Sequence, residues 1–191
     1  MIAGEIARQT LAKKCVVLVD NCNWTGHECD VLGVTTDLRI IDVEVKISRA
    51  DLRADARKDK WWRFLTYGEA QQRGIDTRRW NPWEHREPRD WPVKVWKHYY
   101  ALPADIWTDD LLAALPSPAS GVLLLSQKPG EFVQVRCHRR ATPCRDATRL
   151  TASDVIDIAR LANLRMWDAY RDADRFRRDA DYLSKRAREA A

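Results

Sequence analysis

The segment Leu38-Arg-Ile-Ile-Asp-Val-Glu-Val-Lys-Ile-Ser48 is predicted to form a buried strand with two different faces. Successive side chains of a strand point to opposite sides of the sheet, so isoleucine and valine line one side here. The other side carries Asp42, Glu44 and Lys46. A strand that only packs against a core does not need three charged groups on its other side, so this side is a candidate functional surface.

Residues 27–34 form a second predicted strand with the same two-sided pattern, in which Glu28 and Asp30 share one face. A hairpin through residues 35–38 would bring Asp30 close to Glu44. Crowded carboxylates raise one another's pKa unless a cation neutralises them, and such oxygen ligands suit Mg²⁺. A lysine on the same face can orient a metal-side water or hold a phosphate. The pattern therefore predicts hydrolysis of nucleic acid.

A Glu-x-Lys pair is also common on the solvated face of an antiparallel sheet, where it contributes little to stability. Here the opposite face of the strand is uniformly β-branched, which indicates a central rather than a surface strand. We therefore favour the functional interpretation of Glu44 and Lys46.

Asp30, followed on the next predicted strand by Glu44-Val45-Lys46, resembles the PD-(D/E)XK nuclease superfamily. The segment Ser48-Arg-Ala-Asp-Leu-Arg-Ala-Asp-Ala-Arg-Lys after that lysine is similar to the MmcB-related branch, a group associated with DNA repair. The resemblance implies that Asp30 and Glu44 bind Mg²⁺ or Mn²⁺ and that Lys46 is the catalytic lysine. It also implies Glu5, on the first predicted helix, as an additional catalytic acid, although a favourable interaction with the helix dipole explains Glu5 equally well.

The resemblance covers about residues 1–60 and continues weakly through residues 95–102. Cys29 departs from the pattern because it occupies the position of the name-giving proline, which is often absent in this superfamily. Asp42 and Glu28 are candidate outer-shell or second-metal ligands. The implied fold is α/β and restriction-endonuclease-like, with a mixed central β-sheet flanked by helices and a long C-terminal helix.

The length of 191 residues suits one domain with a sizeable core, and the net charge of +5 permits a polyanionic partner. We assign residues 1–150 to a nuclease-like domain with a Trp-rich insertion at residues 61–92. Five cysteines without a compact framework indicate reduced thiols, and no stretch approaches the roughly eighteen apolar residues of a membrane span. We therefore expect a cytoplasmic protein with no membrane partner.

Basic side chains form two candidate DNA-contacting patches, one on a helix predicted from Ser48 to about Lys60 and one after a strand predicted at residues 132–137. Such side chains can follow a phosphate backbone. The alternative for the first patch is a solvated helix face whose arginines pair with local aspartates, and the alternative for the second patch is a soluble loop. The candidate residues are Arg49, Arg53, Arg57, Lys58, Arg139 and Arg140.

Two further segments allow alternative interpretations. The insertion holds five tryptophans, which we interpret as a folded flap beside the active site rather than a platform for bases. Cys22, His27 and Cys29 suggest a zinc site, but they lack a Cys-x-x-Cys knuckle, so buried free cysteine is favoured.

Residues 151–191 are predicted to form a long helix in which apolar residues recur four and three positions apart, the period of a coiled-coil seam. This helix packs on the domain or on a second subunit, and we favour a homodimer because two-strand cleavage suits a two-fold assembly. The predicted function is metal-dependent DNA hydrolysis. The alternatives are a catalytically silent nucleic-acid-binding protein on the same fold, and an assembly protein that acts through the long helix.

Overall fold

The computed structural model describes residues 2–78 and 80–189. The strands are β1 (Cys15–Cys22), β2 (Cys29–Thr35), β3 (Ile40–Val45), β4 (Trp62–Phe64), β5 (Arg86–Pro88), β6 (Val95–Pro103), β7 (Gly121–Ser126) and β8 (Gln134–Arg139). The α-helices are α1 (Ile2–Ile6), α2 (Arg49–Asp55), α3 (Tyr67–Gln72) and α4 (Ala152–Glu189). A π-helical turn over Ala7–Leu11 extends α1.

A six-stranded sheet with the order β1-β2-β3-β6-β7-β8 forms the centre of the protein. The pairs β1/β2, β2/β3 and β7/β8 are antiparallel, whereas β3/β6 and β6/β7 are parallel. The parallel pairs are possible because long connections separate their strands, whereas the antiparallel neighbours are joined by short ones. The predicted α/β class, the mixed central sheet and the long C-terminal helix are confirmed.

The β2–β3 hairpin sets the register on which the candidate site depends. Its turn is closed by the Thr35 hydroxyl, which donates to Asp37 Oδ1 over 2.5 Å and accepts from the Arg39 amide over 3.0 Å. Val31 pairs with Val43 across the two strands. Beyond this pair, the Val45 amide donates to Asp30 Oδ2 over 2.6 Å, which holds Asp30 beside the end of β3.

Helix α2 begins at the predicted cap, where the Ser48 hydroxyl accepts from the Asp51 amide over 3.1 Å. It ends at Asp55, five residues before the predicted end at Lys60, and a 3-10 helix over Asp59–Trp61 follows. The helix ends early because the chain turns inward: Lys60 is 7% exposed and Trp61 is 2% exposed. The predicted basic helix face is therefore shorter than expected.

The two sides of β3 pack against different parts of the protein. On the side that we call the apolar face, Ile41 and Val43 join a hydrophobic cluster with Ile6 of α1. On the side that we call the charged face, Asp42 and Glu44 lie between two apolar clusters. One of these clusters contains Ile158 of α4, and the other contains Leu52 of α2 and the ring of Trp61.

Residues 61–92, apart from Arg79, fold as a flap in which β4 and β5 pair and α3 lies between them. The Arg86 guanidinium stacks over Trp62 at 4.3 Å and over Trp83 at 5.3 Å from the ring centroids. Phe64 packs edge-on against Trp83. Several aromatic rings of this segment thus contact other residues of the segment, whereas Trp61 packs in the core of the domain.

Helix α4 packs on the domain only near its start. Val155, Ile158, Leu161 and Ala162 contact the cluster over β1 and β2, and Arg165 donates to the Asn21 carbonyl over 3.1 Å. Beyond that point its side chains are largely exposed, including Phe176 at 73%. In the part of the chain that the structure describes, no helix combines the length and apolar character of a membrane span.

Candidate active site

Glu44 and Lys46 meet at the carboxyl end of β3, where both side chains are buried. The Lys46 ammonium donates to Glu44 Oε2 over 3.1 Å and to Asp55 Oδ1 of α2 over 2.8 Å. A charged group in the interior is costly unless it is paired and hydrogen-bonded. The two carboxylates therefore fix the position of the Lys46 ammonium.

Two more lysines complete what we call the ion-pair cluster (Glu44, Lys46, Asp55, Lys58 and Lys60). Lys60 is paired with Glu44, and Lys58 lies 2.9 Å from Asp55 and 3.6 Å from Glu44. Two carboxylates are thus surrounded by three ammonium groups.

Neutral donors complete the surroundings of Asp55, which accepts hydrogen bonds from the Tyr100 hydroxyl over 2.5 Å and from the Trp61 indole over 3.0 Å. Asp55 is completely buried. Its carboxylate is therefore held by partners from β3, β6 and the turn that follows α2.

The lysines keep both carboxylates ionised. Burial alone would raise the pKa of Glu44 and of Asp55, but the charge of Lys60 and the hydrogen bonds from the cluster outweigh it. As a result, the pKa of Glu44 is below its ordinary value, and that of Asp55 is well below it. Burial of Tyr100 beside Asp55 raises the pKa of its hydroxyl, which stays protonated as a donor.

Asp30 has a different environment from that of Glu44. It is half-buried, and its Oδ2 accepts from the Val45 amide over 2.6 Å. Burial raises its pKa, and the nearby charge of Glu44 adds to this effect, although the Val45 hydrogen bond opposes it. Asp30 is thus a carboxylate whose ionised form a cation would stabilise.

A groove with a volume of about 530 Å³ gives solvent access to Glu44. One wall is the loop that contains His27 and Glu28, and the flap supplies Trp62 and Arg89 on another wall. Lys58 and Lys60 also line the groove, so its surface combines carboxylates with cations. A site of this chemistry can accept an anionic ligand and a metal ion together.

Asp42 lies behind the groove, two residues before Glu44, and is completely buried. Its Oδ2 is 3.2 Å from His27 Nε2 and 3.8 Å from His98 Nε2. Burial lowers the pKa of His98 to about 4, despite the nearby Asp42 carboxylate, so this imidazole is neutral. Asp42 therefore faces a histidine pair, whereas Glu28, the other candidate outer-shell residue, is exposed at the groove.

The structure does not bring Glu5 to this site. Helix α1 packs on the apolar face of β3 through Ile6, so the sheet separates Glu5 from Lys46. Glu5 instead accepts hydrogen bonds from Arg8 over 2.7 Å and from Gln9 over 2.6 Å. The assignment of Glu5 as a catalytic acid is corrected, because its partners are those of a surface helix.

The six candidate phosphate-binding residues are dispersed. Lys58 lines the groove and Arg53 and Arg57 are exposed, whereas Arg49 donates to the Ile106 carbonyl over 2.7 Å.

The second basic patch is distant, because β8 lies three strands from β3, roughly 14 Å at the usual strand spacing. Arg139, at the end of β8, donates to the Pro118 carbonyl, and Arg140 directly follows it. Arg139 and Arg140 therefore lie apart from the groove, and the contact of this second patch with DNA stays a prediction.

Asp55, Lys60 and Tyr100 were missed by sequence reasoning. A usable signal exists for Asp55, which follows the buried Leu52 by three residues and so shares its helix face. Tyr100 follows His98 by two residues on β6, which predicts a shared side of that strand. No feature of the sequence indicates that the Lys60 side chain points inward, because its direction depends on where α2 ends.

No family model and no curated protein matches this chain. It is similar to the solved structure of a protein of unknown function from Silicibacter pomeroyi, with which it shares 18% sequence identity. The similarity has a TM-score of 0.49 and covers 91% of this chain and 88% of that chain. The function of this chain therefore has to be inferred from its own residues.

Proposed function

We propose that this protein is a Mg²⁺-dependent deoxyribonuclease of the PD-(D/E)XK superfamily that acts in DNA repair or recombination. The observation that carries the proposal is the buried Lys46 ammonium, held between Glu44 and Asp55 at the end of β3. Asp30 lies beside the end of β3, where its carboxylate accepts from the Val45 amide, and Glu44 lines a groove together with Lys58 and Lys60. Structural strands rarely carry so many buried charges, so a catalytic use is favoured.

The fold supports a restriction-endonuclease-like assignment. The β2–β3 hairpin carries Asp30 and Glu44, α2 begins directly after Lys46, and β6 returns parallel to β3. Helices cover both faces of the resulting mixed sheet. A mixed sheet with helices on both faces is required by the proposed assignment and therefore supports it.

The carboxylates of Asp30 and Glu44 fit a hard divalent cation. Both offer only oxygen atoms, and the Val45 amide engages one oxygen of Asp30, Oδ2. The raised pKa of Asp30 also favours a nearby positive charge. When bound there, Mg²⁺ or Mn²⁺ would supply charge neutralisation of the phosphate and a more acidic water.

The protein's own groups have distinct parts in the proposed reaction. Lys46 orients the attacking water and stabilises charge on the phosphate, because Asp55 holds its ammonium in one place. Lys58 is half-exposed at the groove and contacts the phosphate backbone. Arg89 on the flap and Lys58 then hold the DNA from two sides.

One observation favours the alternative of a catalytically silent nucleic-acid-binding protein. Both oxygens of Glu44 are engaged by lysines, with Lys60 on Oε1 and Lys46 on Oε2. A metal ion at Glu44 would have to compete with these ammonium groups. The two functions therefore differ in whether a divalent ion binds at the carboxylates.

Isothermal titration with Mg²⁺ and Mn²⁺, followed by cleavage of duplex, single-stranded and branched DNA and of RNA, distinguishes the two functions. We expect wild-type protein to bind the ion and cut DNA, and Glu44→Gln to lose about tenfold or more in affinity together with cleavage. Glu5→Gln is the matched control, because it neutralises an acid on the opposite side of the sheet. DNA binding without metal binding would support the catalytically silent alternative and contradict the proposed nuclease function.

We also propose that the exposed second half of α4 forms a homodimer. Phe176 and Leu183 are 73% and 65% exposed, and they share the predicted seam. In sedimentation velocity, the double variant Phe176→Ser/Leu183→Ser should be monomeric where the wild type is dimeric. Phe132→Ser is the control, since Phe132 is 75% exposed on a loop far from the seam in sequence. A monomeric wild type at tens of micromolar would contradict the dimer.

A further inference from the structure

Behind the groove, three side chains with metal-binding groups converge. Ligand atoms of His27, Cys29 and Asp42 lie within 4.8 Å of one another. His27 Nε2 is 3.2 Å from Asp42 Oδ2, and Cys29 and Asp42 are both completely buried. The cluster contains one nitrogen, one sulfur and one carboxylate, and it is distinct from the all-oxygen pair of Asp30 and Glu44.

Unpartnered polar atoms lie at the same place. Among the described residues, Asp42 Oδ1 and His98 Nε2 are buried and have no hydrogen-bond partner. His98 is 1% exposed, and its Nε2 lies 3.8 Å from Asp42 Oδ2, too far for a hydrogen bond. Buried polar groups are nearly always satisfied, so two orphaned atoms around one carboxylate indicate a missing partner.

The second nitrogen of His98 is already supported, because the Ser120 hydroxyl lies 3.1 Å from His98 Nδ1. The Thr25 hydroxyl lies beside the His27 ring, 3.2 Å from Nδ1 and 3.4 Å from Nε2. His27 Nε2 lies 3.2 Å from Asp42 Oδ2, and His98 Nε2 also faces this carboxylate. A partner on the second nitrogen, as at His98, fixes the tautomer and the ring orientation of a metal-binding histidine.

We propose that His27, Cys29 and Asp42 bind a divalent transition-metal ion of the zinc class, with His98 on the fourth side. Tetrahedral zinc with nitrogen, oxygen and sulfur ligands sets the ligand atoms roughly 3.3–3.8 Å apart. The His27–Asp42 pair at 3.2 Å is already close to this spacing. Because all three ligand atoms lie within 4.8 Å of one another, no pair would have to close by more than about 1 Å on binding.

The donor set selects against Mg²⁺, which requires oxygen ligands, and favours zinc, for which thiolate and imidazole are suitable. Binding releases the Cys29 thiol proton to solvent, after which the thiolate and the Asp42 carboxylate balance the two charges of the ion. The ion can reach the site because His27, partly exposed, lines the groove. It would tie the loop of residues 25–28 to β3, directly behind Glu44.

Metal analysis of the full chain, loaded with Zn²⁺ and then freed of excess ion, tests this proposal. We expect about one zinc ion per chain in the wild type and at least a tenfold loss in Cys29→Ser and in His27→Gln. Cys22→Ser is the matched control, because Cys22 is buried in the same apolar cluster but lies outside the proposed ligand set. His98→Gln should weaken zinc binding by about tenfold.

Co²⁺ provides a readout that does not depend on enzymatic activity. Wild-type protein should show a thiolate-to-cobalt charge-transfer band, which Cys29→Ser removes and Cys22→Ser retains. If circular dichroism shows that Cys29→Ser does not fold, His27→Gln replaces it as the test variant, since His27 is at the surface of the site. Wild-type protein without zinc, or zinc retained in both Cys29→Ser and His27→Gln, would overturn the proposal.

Discussion

The two faces of β3 are equally buried but have opposite chemistry. Ile41 and Val43 on the apolar face are 3% and 0% exposed, and Asp42 and Glu44 on the charged face are 0% and 3% exposed. Burial therefore does not distinguish the apolar face from the charged face in this sheet. The difference lies in what each side chain requires from its neighbours.

The apolar face requires only volume and contact, because hydrophobic burial is non-directional. The charged face requires specific partners: Lys46 and Lys60 pair with Glu44, and Asp55 of α2, which pairs with the same lysines, also accepts from Tyr100 and Trp61. Loss of one partner leaves another group buried and unpaired. We therefore expect the charged face to be much more sensitive to a single substitution.

The largest effect on stability is expected for Asp55→Ala. This substitution removes one of the two carboxylates that Lys46 and Lys60 share and leaves three ammonium groups around Glu44 alone, and breaking a buried pair typically costs about 3–5 kcal/mol. Urea unfolding followed by circular dichroism measures the loss. Asp59→Ala, at an exposed position four residues later, should stay within about 0.5 kcal/mol of the wild type. A loss below about 1 kcal/mol for Asp55→Ala would mean that the cluster contributes little to folding.

The pH dependence of stability should separate the two faces further, because only the charged face carries titratable side chains. The pKa of Asp55 is lower in the folded protein than its unfolded value of about 3.9. Its stabilisation is therefore complete above that value and is lost as the pH falls below it, by up to about 1.4 kcal/mol per pH unit. Asp55→Asn should reduce this slope, and an unchanged slope between pH 4 and pH 2 would contradict the assignment.

A smaller effect is expected on the apolar face. Ile41→Val removes one buried methylene group and should lower the free energy of unfolding by about 1 kcal/mol. DNA cleavage and metal binding should be unchanged, because Ile41 points away from the ion-pair cluster. Ile47→Val is the control in the same segment, since Ile47 is 75% exposed and should show almost no change. A fall in cleavage for Ile41→Val at full folding would show that the two faces are coupled.

Local patterns in the sequence determined much of this protein. Alternation in residues 38–48 predicted the strand and the side on which Asp42 and Glu44 lie, and Ser48 predicted the start of α2. The α/β class, the mixed sheet and the long helix α4 also followed from periodicity and from the resemblance. These features depend on neighbours within a few residues, which a sequence displays directly.

Only the tertiary structure decided which charged groups meet. It turned Lys60 inward after an early end of α2, brought Tyr100 to Asp55, and placed Asp42 among His27, Cys29 and His98. It also placed Glu5 and Lys46 on opposite sides of the sheet, and it placed Arg139 at the end of β8, three strands away from β3. Strand order and helix packing set these distances, and both arise from the burial of apolar surface over the whole chain rather than from any local pattern.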